Sequence, residues 1–257
     1  MVPSEIADRG IARRAFVRRA GAAGLVVAGA STLGSWTGVA GAGVLTAPND
    51  TAADPDAALA RLMRGNRRFV RGKPKNPIDS DERRRASAGT QMPFAAVLEC
   101  ADSRVPPEII FDQGLGDLFV IRVAGNIVAS SQIGSVEFAA EQFGTRLVVV
   151  LGHTGCGAIQ ATLEELQNRK QNPSKNIRSI VDRIRPAVEE LVATDLRHDT
   201  RSLEQHAGRA NVRVSANALR HGSDILEQLI QNDGLLIVGA EYSLETGLVE
   251  FFEGVPV

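Results

Sequence analysis

Two short strings carry the residues of this chain whose types and spacing could do chemistry. The first is Cys100-Ala-Asp102-Ser-Arg104, and the second, about fifty residues further on, is His153-Thr-Gly-Cys156. They contain both cysteines of the protein and one of its four histidines. Two thiolates and one imidazole fill three of the four tetrahedral positions of Zn²⁺ and leave the fourth for water or a substrate. The donor types therefore indicate a catalytic zinc site with Cys100, His153 and Cys156 as ligands.

Asp102 and Arg104 stand beside the first thiol, two residues apart, so that on an extended segment both side chains lie on one face. One interpretation is a surface ion pair of little energetic consequence. Next to a metal the pair could have a catalytic role. Asp102, kept ionised by Arg104, can accept a proton from the nucleophile and orient it. With Arg104 withdrawn, the same carboxylate could become a fourth zinc ligand in a closed state. We favour the catalytic interpretation.

The two cysteines admit a second explanation, since a pair of cysteines in an exported protein would by default form a disulfide. Here each cysteine has residues of chemical use beside it. Cys100 precedes the Asp102 and Arg104 pair, and Cys156 follows His153 within one turn. We therefore predict zinc rather than a disulfide.

The elements that must position these ligands follow an alternating pattern. Four apolar runs of the kind buried on both faces of a parallel sheet span 94–98, 118–123, 147–151 and 235–238. Helical stretches span 57–70, after a cap at Asp54 and Pro55, and 131–143, 158–167, 179–193 and 214–231. Alternating strands and helices predict an α/β fold. Cys100 and His153 come directly after two of the strands, where open α/β sheets place their sites.

The first fifty residues have the composition of an export signal. Five arginines lie between Arg9 and Arg19, and an uncharged run rich in small residues follows over 20–49, with an Ala-Gly-Ala cleavage candidate at 40–42. The pair Arg13-Arg14 resembles a twin-arginine signal. We predict a cleaved signal over 1–42, a linker over 43–55 and a catalytic domain over 56–257. Because the uncharged run is long enough to span a bilayer, an uncleaved membrane anchor is the alternative.

Composition limits the partners of the remaining chain. The whole chain has a formal net charge of −1, and residues 1–42 carry five arginines against two acidic side chains. Removal of that segment would therefore leave a mildly acidic body, which is a poor candidate for binding nucleic acid or an anionic membrane. We expect a small-molecule substrate and an exported location, periplasmic or extracellular.

From about residue 56 to its end, the chain resembles the β-class carbonic anhydrases. The matching strings are 100–104 with 105–108 (Val-Pro-Pro-Glu), 116–122 (Gly-Asp-Leu-Phe-Val-Ile-Arg), 124–126 (Ala-Gly-Asn), 151–157 (Leu-Gly-His-Thr-Gly-Cys-Gly), 239–242 (Gly-Ala-Glu-Tyr) and 246–247 (Thr-Gly). The resemblance implies reversible hydration of CO₂ to bicarbonate, with one zinc per subunit and zinc hydroxide as the nucleophile. It implies Cys100, His153 and Cys156 as ligands and Asp102 with Arg104 as the orienting pair.

The resemblance also implies a central, mostly parallel four-stranded sheet with an added edge strand, flanked by helices. It implies a homodimer, or a dimer of dimers, with the active site at the dimer interface. One subtype of the family places a substrate-facing glutamine nine residues before the first cysteine, and Gln91 stands there. Phe119 takes the place of an apolar wall residue, and Gly157 is the third predicted substrate-binding residue.

Two positions depart from other subtypes of the family. A bicarbonate-regulated subtype has a tryptophan three residues before the first cysteine, where this chain has Val97, so that the resemblance implies no such regulation. Plant-like members have a tyrosine where Phe138 stands. Hydrolysis of COS or CS₂ by the same zinc constellation, and non-catalytic binding of bicarbonate, are the alternative functions. The proton shuttle is not assigned by the sequence.

Overall fold

A computed structural model of the chain describes residues 54–75, 81–168 and 174–256. The predicted signal over 1–42 and the predicted linker up to residue 53 lie outside the described residues. The first described element is the helix α1, Pro55–Val70, and it begins where the sequence predicts. The Asp54 carboxylate caps it by accepting hydrogen bonds from the backbone N–H groups of Asp56 and Ala57, both at 3.0 Å.

A five-stranded sheet with the strand order β2-β1-β3-β4-β5 is central to the described part of the chain. The strands are β1 Ala95–Glu99, β2 Leu118–Arg122, β3 Leu147–His153, β4 Leu236–Tyr242 and β5 Val249–Glu253. The first four pair in parallel, and β5 pairs antiparallel with β4. Every residue of β1 and β3 is buried, as expected of strands covered on both faces. The predicted α/β fold with an added edge strand is confirmed.

Helices precede, connect and cover the strands. After α1 they are α2 Asp81–Ser87, α3 Pro107–Ile110, α4 Ser130–Gln142, α5 Gly157–Asn168, α6 Lys175–Val192, α7 Thr200–His221 and α8 Asp224–Asn232, with 3₁₀ turns at Ala124–Asn126 and Asp195–His198. In the described residues no helix combines the length and the apolarity that a membrane crossing needs.

The prediction of one helix over 214–231 is wrong, because the chain forms α7 and α8 with a break between them. Gly222 ends α7, and the Ser223 hydroxyl caps α8 by accepting from the Leu226 N–H at 3.3 Å. The continuous apolar periodicity of the two helices hid this boundary, although a glycine followed by a serine is a known stop and start signal.

The helix α7 packs closely on the sheet because two strands present glycine to it. A Cβ built at Gly152 of β3 would lie 2.6 Å from one methyl group of Val212, and a Cβ built at Gly239 of β4 would lie 2.7 Å from the other. Val212 is fully buried between them. The Arg209 guanidinium adds an ion pair with Glu241 of β4 at 3.1 Å. These contacts fix the position of α7 relative to β3 and β4.

Candidate metal centre

The three predicted ligands come together at the carboxyl ends of two neighbouring strands. Cys100 follows β1, His153 ends β3, and β1 and β3 pair in parallel. One ligand atom from each of Cys100, His153 and Cys156 lies within 4.8 Å of the others, and all three residues are buried. The two sulfur atoms are 3.9 Å apart, and both thiols are free. The sheet thus brings together residues that are far apart in sequence.

His153 has the orientation of a metal ligand. Its Nδ1 lies 2.9 Å from the Thr154 carbonyl oxygen, which can only accept, so Nδ1 carries the proton and Nε2 holds the lone pair. Nε2 is buried and, in the part of the chain that the structure describes, has no hydrogen-bond partner. A buried nitrogen lone pair beside two thiols is costly unless a cation takes it. The donor set of two sulfurs and one imidazole nitrogen fits Zn²⁺.

Cys100 receives a hydrogen bond from the protein backbone. The Gly125 N–H lies 3.3 Å from its sulfur. The adjacent Cys156 thiol lowers the pKa of Cys100 most strongly, with Gly125 assisting, and this outweighs the effect of burial. The contact between the two sulfurs, together with burial, raises the pKa of Cys156. A cation bound by both sulfurs would favour ionisation of both.

Asp102 and Arg104 form the predicted pair beside the ligands. Arg104 donates to both carboxylate oxygens, from Nε at 2.9 Å and from Nη2 at 2.7 Å, and its backbone N–H donates to Oδ1 at 2.9 Å. These hydrogen bonds hold the pKa of Asp102 well below its ordinary value. Asp102 Oδ2 lies 3.9 Å from His153 Nε2. The carboxylate is thus next to the ligands but engaged by Arg104, and a closed state with Asp102 as a ligand stays a prediction.

Arg122, at the end of β2, holds the backbone that carries Cys100 and Asp102. Its guanidinium donates to the Asp102 carbonyl at 2.6 Å and to the Cys100 carbonyl at 3.3 Å. Glu99 is fully buried and lies opposite Arg122 in the register of β1 and β2. One Glu99 carboxylate oxygen lies 3.0 Å from Arg122 Nε. The two groups form an ion pair without a hydrogen bond, because the Nε–H of Arg122 points at the Cys100 carbonyl. Burial raises the pKa of Glu99 to about 9 against the effect of Arg122. Neither residue belongs to the motifs that predict the site, although each is a charged residue at the end of an apolar strand.

Gly157 begins α5 directly after Cys156, as predicted. A Cβ built on it would meet nothing within 4 Å, so there is free space beside the third ligand. Gly155 has a φ of +64°, a left-handed conformation that turns the chain from His153 back to Cys156 and favours glycine. The loop therefore brings His153 and Cys156 to one point, with open space at Gly157.

Of the other predicted substrate residues, Phe119 lies in the edge strand β2 and Gln91 lies outside the sheet. Gln91 is exposed in the segment before β1. Phe119 contacts Phe138 and Phe143, with ring centroids 6.2 and 6.0 Å away, and Phe138 is 51% exposed. Within the described residues, neither Gln91 nor Phe119 makes a hydrogen bond or ring contact with the three ligands. An exposed aromatic cluster beside an unpaired strand edge is typical of an interface.

A cavity of about 510 Å³ opens on the opposite side, between α7 and the β4–β5 turn. It reaches the ligand loop only at Thr154 and Gly155, and glutamates outnumber arginines in its walls. It contains none of the three ligands or the Asp102 and Arg104 pair, so it is separate from the metal centre.

Comparisons with known proteins agree with this geometry. The family model for carbonic anhydrase matches residues 95–249. A protein of Mycobacterium tuberculosis named carbonic anhydrase 2 is 40% identical over 194 residues, which is 76% of this chain and 91% of that protein. A carbonic anhydrase of Mycolicibacterium smegmatis is 40% identical over 197 residues, covering 77% and 93%.

Solved structures share the fold. The β-carbonic anhydrase CafA of Aspergillus fumigatus superposes with a TM-score of 0.60 at 23% identity, over 79% of this chain and 92% of that one. A structure described as one of two tetrameric β-carbonic anhydrases from Sordaria macrospora has a TM-score of 0.59 at 21% identity, over 66% and 89%. The family match, the mycobacterial relatives and this fold together place the chain in the β-class carbonic anhydrase family.

Proposed function

We propose that this chain catalyses the reversible hydration of CO₂ to bicarbonate and a proton. The observation that carries the proposal is the buried cluster of Cys100, His153 and Cys156 with the ionised Asp102 beside it. A structural zinc site has four protein ligands, whereas this one offers three and an open approach. The mycobacterial relatives named carbonic anhydrase support the same reaction.

Cys100, His153 and Cys156 would hold Zn²⁺. When bound there, zinc supplies a Lewis acid that generates a nucleophile from water at neutral pH. His153 keeps its Nε2 lone pair directed at the cluster because the Thr154 carbonyl retains the proton on Nδ1. The ligand side chains are buried, and the open space at Gly157 would give water a route to the centre.

Asp102 orients the nucleophile. Because Arg104 binds both oxygens of the carboxylate, Asp102 stays ionised and its remaining lone pairs accept a hydrogen bond from the attacking group. That hydrogen bond directs a lone pair of the nucleophile at CO₂. Arg122 fixes the loop on which Asp102 lies by binding its carbonyl. In this scheme Asp102 acts at the reacting atoms, and Arg104 and Arg122 act through it.

The free space above Gly157 suits a small linear substrate. Gln91 and Phe119 would complete the substrate site from a second copy of the chain, since neither contacts the ligands of its own subunit. The exposed Phe138 beside Phe119 would then be covered in a homodimer, and the tetrameric Sordaria structure supports further pairing of dimers. A Phe138→Asp variant should run as a smaller species in light scattering and lose activity while it keeps its zinc.

We also propose that residues 1–42 direct export by a twin-arginine-type route and are then removed. The paired arginines, the uncharged run and the small-residue cleavage candidate support this. Replacing Arg13 and Arg14 with lysine in the full chain should retain the protein in the cytoplasm, as cell fractionation would measure. Export that is unaffected by this change would contradict the proposal.

The function is tested by stopped-flow CO₂ hydration with zinc-loaded protein. Asp102→Asn should lower kcat by about 10²-fold, since the amide keeps the size of the carboxylate but is a weaker, uncharged acceptor that orients the nucleophile poorly. Asp81→Asn, which alters an exposed carboxylate in α2, is the control and should leave the rate unchanged. Wild-type protein that binds one zinc yet hydrates no CO₂ at any pH would refute the proposal, and turnover of COS or CS₂ instead would identify the alternative hydrolase.

A further inference from the structure

Two polar residues buried in α7 contact the turn that serves the Cys100 sulfur. Asn211 Nδ2 donates to the Gly125 carbonyl at 2.8 Å, and the Ser215 hydroxyl donates to the Asn126 carbonyl at 2.9 Å. Asn211 is 1% exposed and Ser215 is 3% exposed. They lie four residues apart on one face of the helix and bind two consecutive carbonyl groups. The motif that carries the site chemistry did not predict either residue.

The turn they hold is strained. Gly125 has a φ of +71°, and Asn126, which follows it, has a φ of +41°. Asparagine adopts the left-handed region more readily than other residues with a Cβ, but the conformation still has a cost that surrounding contacts offset. A Cβ at Gly125 would lie 2.8 Å from Ile184 and 3.0 Å from Ala158, so the backbone approaches its neighbours closely. The two hydrogen bonds from α7 help to hold the turn in this conformation.

The strained conformation serves the metal centre because it points the Gly125 N–H at the Cys100 sulfur, 3.3 Å away. A hydrogen bond to a ligating thiolate withdraws electron density from the sulfur and so weakens its donation to a metal. The helix that provides the support is itself fixed to the sheet through Val212, between Gly152 and Gly239. A continuous path of contacts thus runs from the β3–β4 face through α7 to the thiolate.

We propose that Asn211 and Ser215 are positioning residues of the metal centre, which hold Gly125 so that its N–H tunes the electron donation of Cys100 to the metal. The inference rests on the proposed zinc site and adds residues outside the motifs that define it. Neither residue touches the ligands, so they act only through the backbone of the turn.

The test uses the full chain loaded with Co²⁺, whose thiolate charge-transfer absorption reports sulfur donation directly. Asn211→Leu and Ser215→Ala should each move this band to longer wavelength and slow metal dissociation, because the sulfur that loses its hydrogen bond donates more strongly to the metal. Ser215→Thr keeps the hydroxyl and should retain the wild-type band. These readouts do not depend on CO₂ hydration, so a shifted band supports the inference whether or not the protein turns over CO₂.

Asn66→Leu is the matched control. Asn66 is 2% exposed and makes comparable hydrogen bonds, to the Ile110 carbonyl at 3.2 Å and the Gly247 carbonyl at 2.9 Å, remote from the turn. It should lower the stability of the fold and leave the band in place. If Ser215→Ala and Asn211→Leu behave like Asn66→Leu, with an unchanged band and dissociation rate, the two residues are merely structural and the proposal is overturned. Should Asn211→Leu fail to fold, the milder Ser215→Ala decides by the same criterion.

Discussion

The packing of Val212 against Gly152 gives a sharp prediction for the variant Gly152→Ala. The new methyl group would lie 2.6 Å from a methyl group of Val212, well inside contact distance. Overpacking of this kind costs about 1–3 kcal/mol, and the alanine recovers about 0.5–1 kcal/mol of chain entropy. We therefore expect a net loss of about 1–2 kcal/mol. Because the next residue is His153, the strain should also displace a ligand and lower the rate of CO₂ hydration.

A second substitution tests whether that contact is the cause. Val212 is fully buried, and Val212→Ala alone should cost about 2–3 kcal/mol from the lost methyl groups and the cavity. In the double variant the methyl group added by Gly152→Ala fills that cavity, so the combined loss should be at least about 1 kcal/mol smaller than the sum of the two. Activity should recover in parallel.

Urea unfolding followed by circular dichroism at a fixed zinc concentration measures these differences. Gly134→Ala is the control, since a Cβ there meets nothing within 4 Å and the residue lies inside α4. It should stabilise the protein by about 0.5–1 kcal/mol and add independently to Val212→Ala. Losses for Gly152→Ala and Val212→Ala that simply add, within about 0.5 kcal/mol, would refute the reasoning.

Three further outcomes follow from the site. In Arg104→Gln the pKa of Asp102 should rise towards its ordinary value near 3.9. The stability that the ionised carboxylate contributes in the wild type above that pH should then disappear. Acid unfolding should then begin at a higher pH than in the wild type, and coincident acid midpoints would contradict the role given to Arg104. Gly157→Val should change the free energy of unfolding by no more than about 0.5 kcal/mol but lower kcat/KM, because the new side chain fills the open space at this position. Unchanged kinetics would mean that the substrate binds elsewhere. Removal of zinc by a chelator should lower Tm by roughly 5–10 °C, if the metal had been present at about a hundred times its Kd. Scanning calorimetry would measure the change. An unchanged Tm would argue against a metal that binds only to the folded state.

The ligands and the Asp102 and Arg104 pair could be predicted from sequence because residue type and local spacing determine what they can do. Cys100 and His153 also followed apolar runs, and that was enough to place them at strand ends. The contributions of Glu99 and Arg122 were hidden because they depend on the register between β1 and β2. Asn211 and Ser215 were hidden for a related reason. Nothing near them in sequence says which turn an α7 side chain will reach, since that is decided by how the helix docks on the sheet.

The distance along the chain between the two cysteines has a consequence for the rate of unfolding. Cys100 and Cys156 are separated by 56 residues and belong to segments that follow adjacent strands. A metal ion bound to both would act as a removable cross-link that closes a long loop. The strands β1 and β3 could then separate fully only after a metal–sulfur bond breaks. The lifetime of the folded enzyme would thus be limited by metal release, a kinetic property independent of the reaction it catalyses.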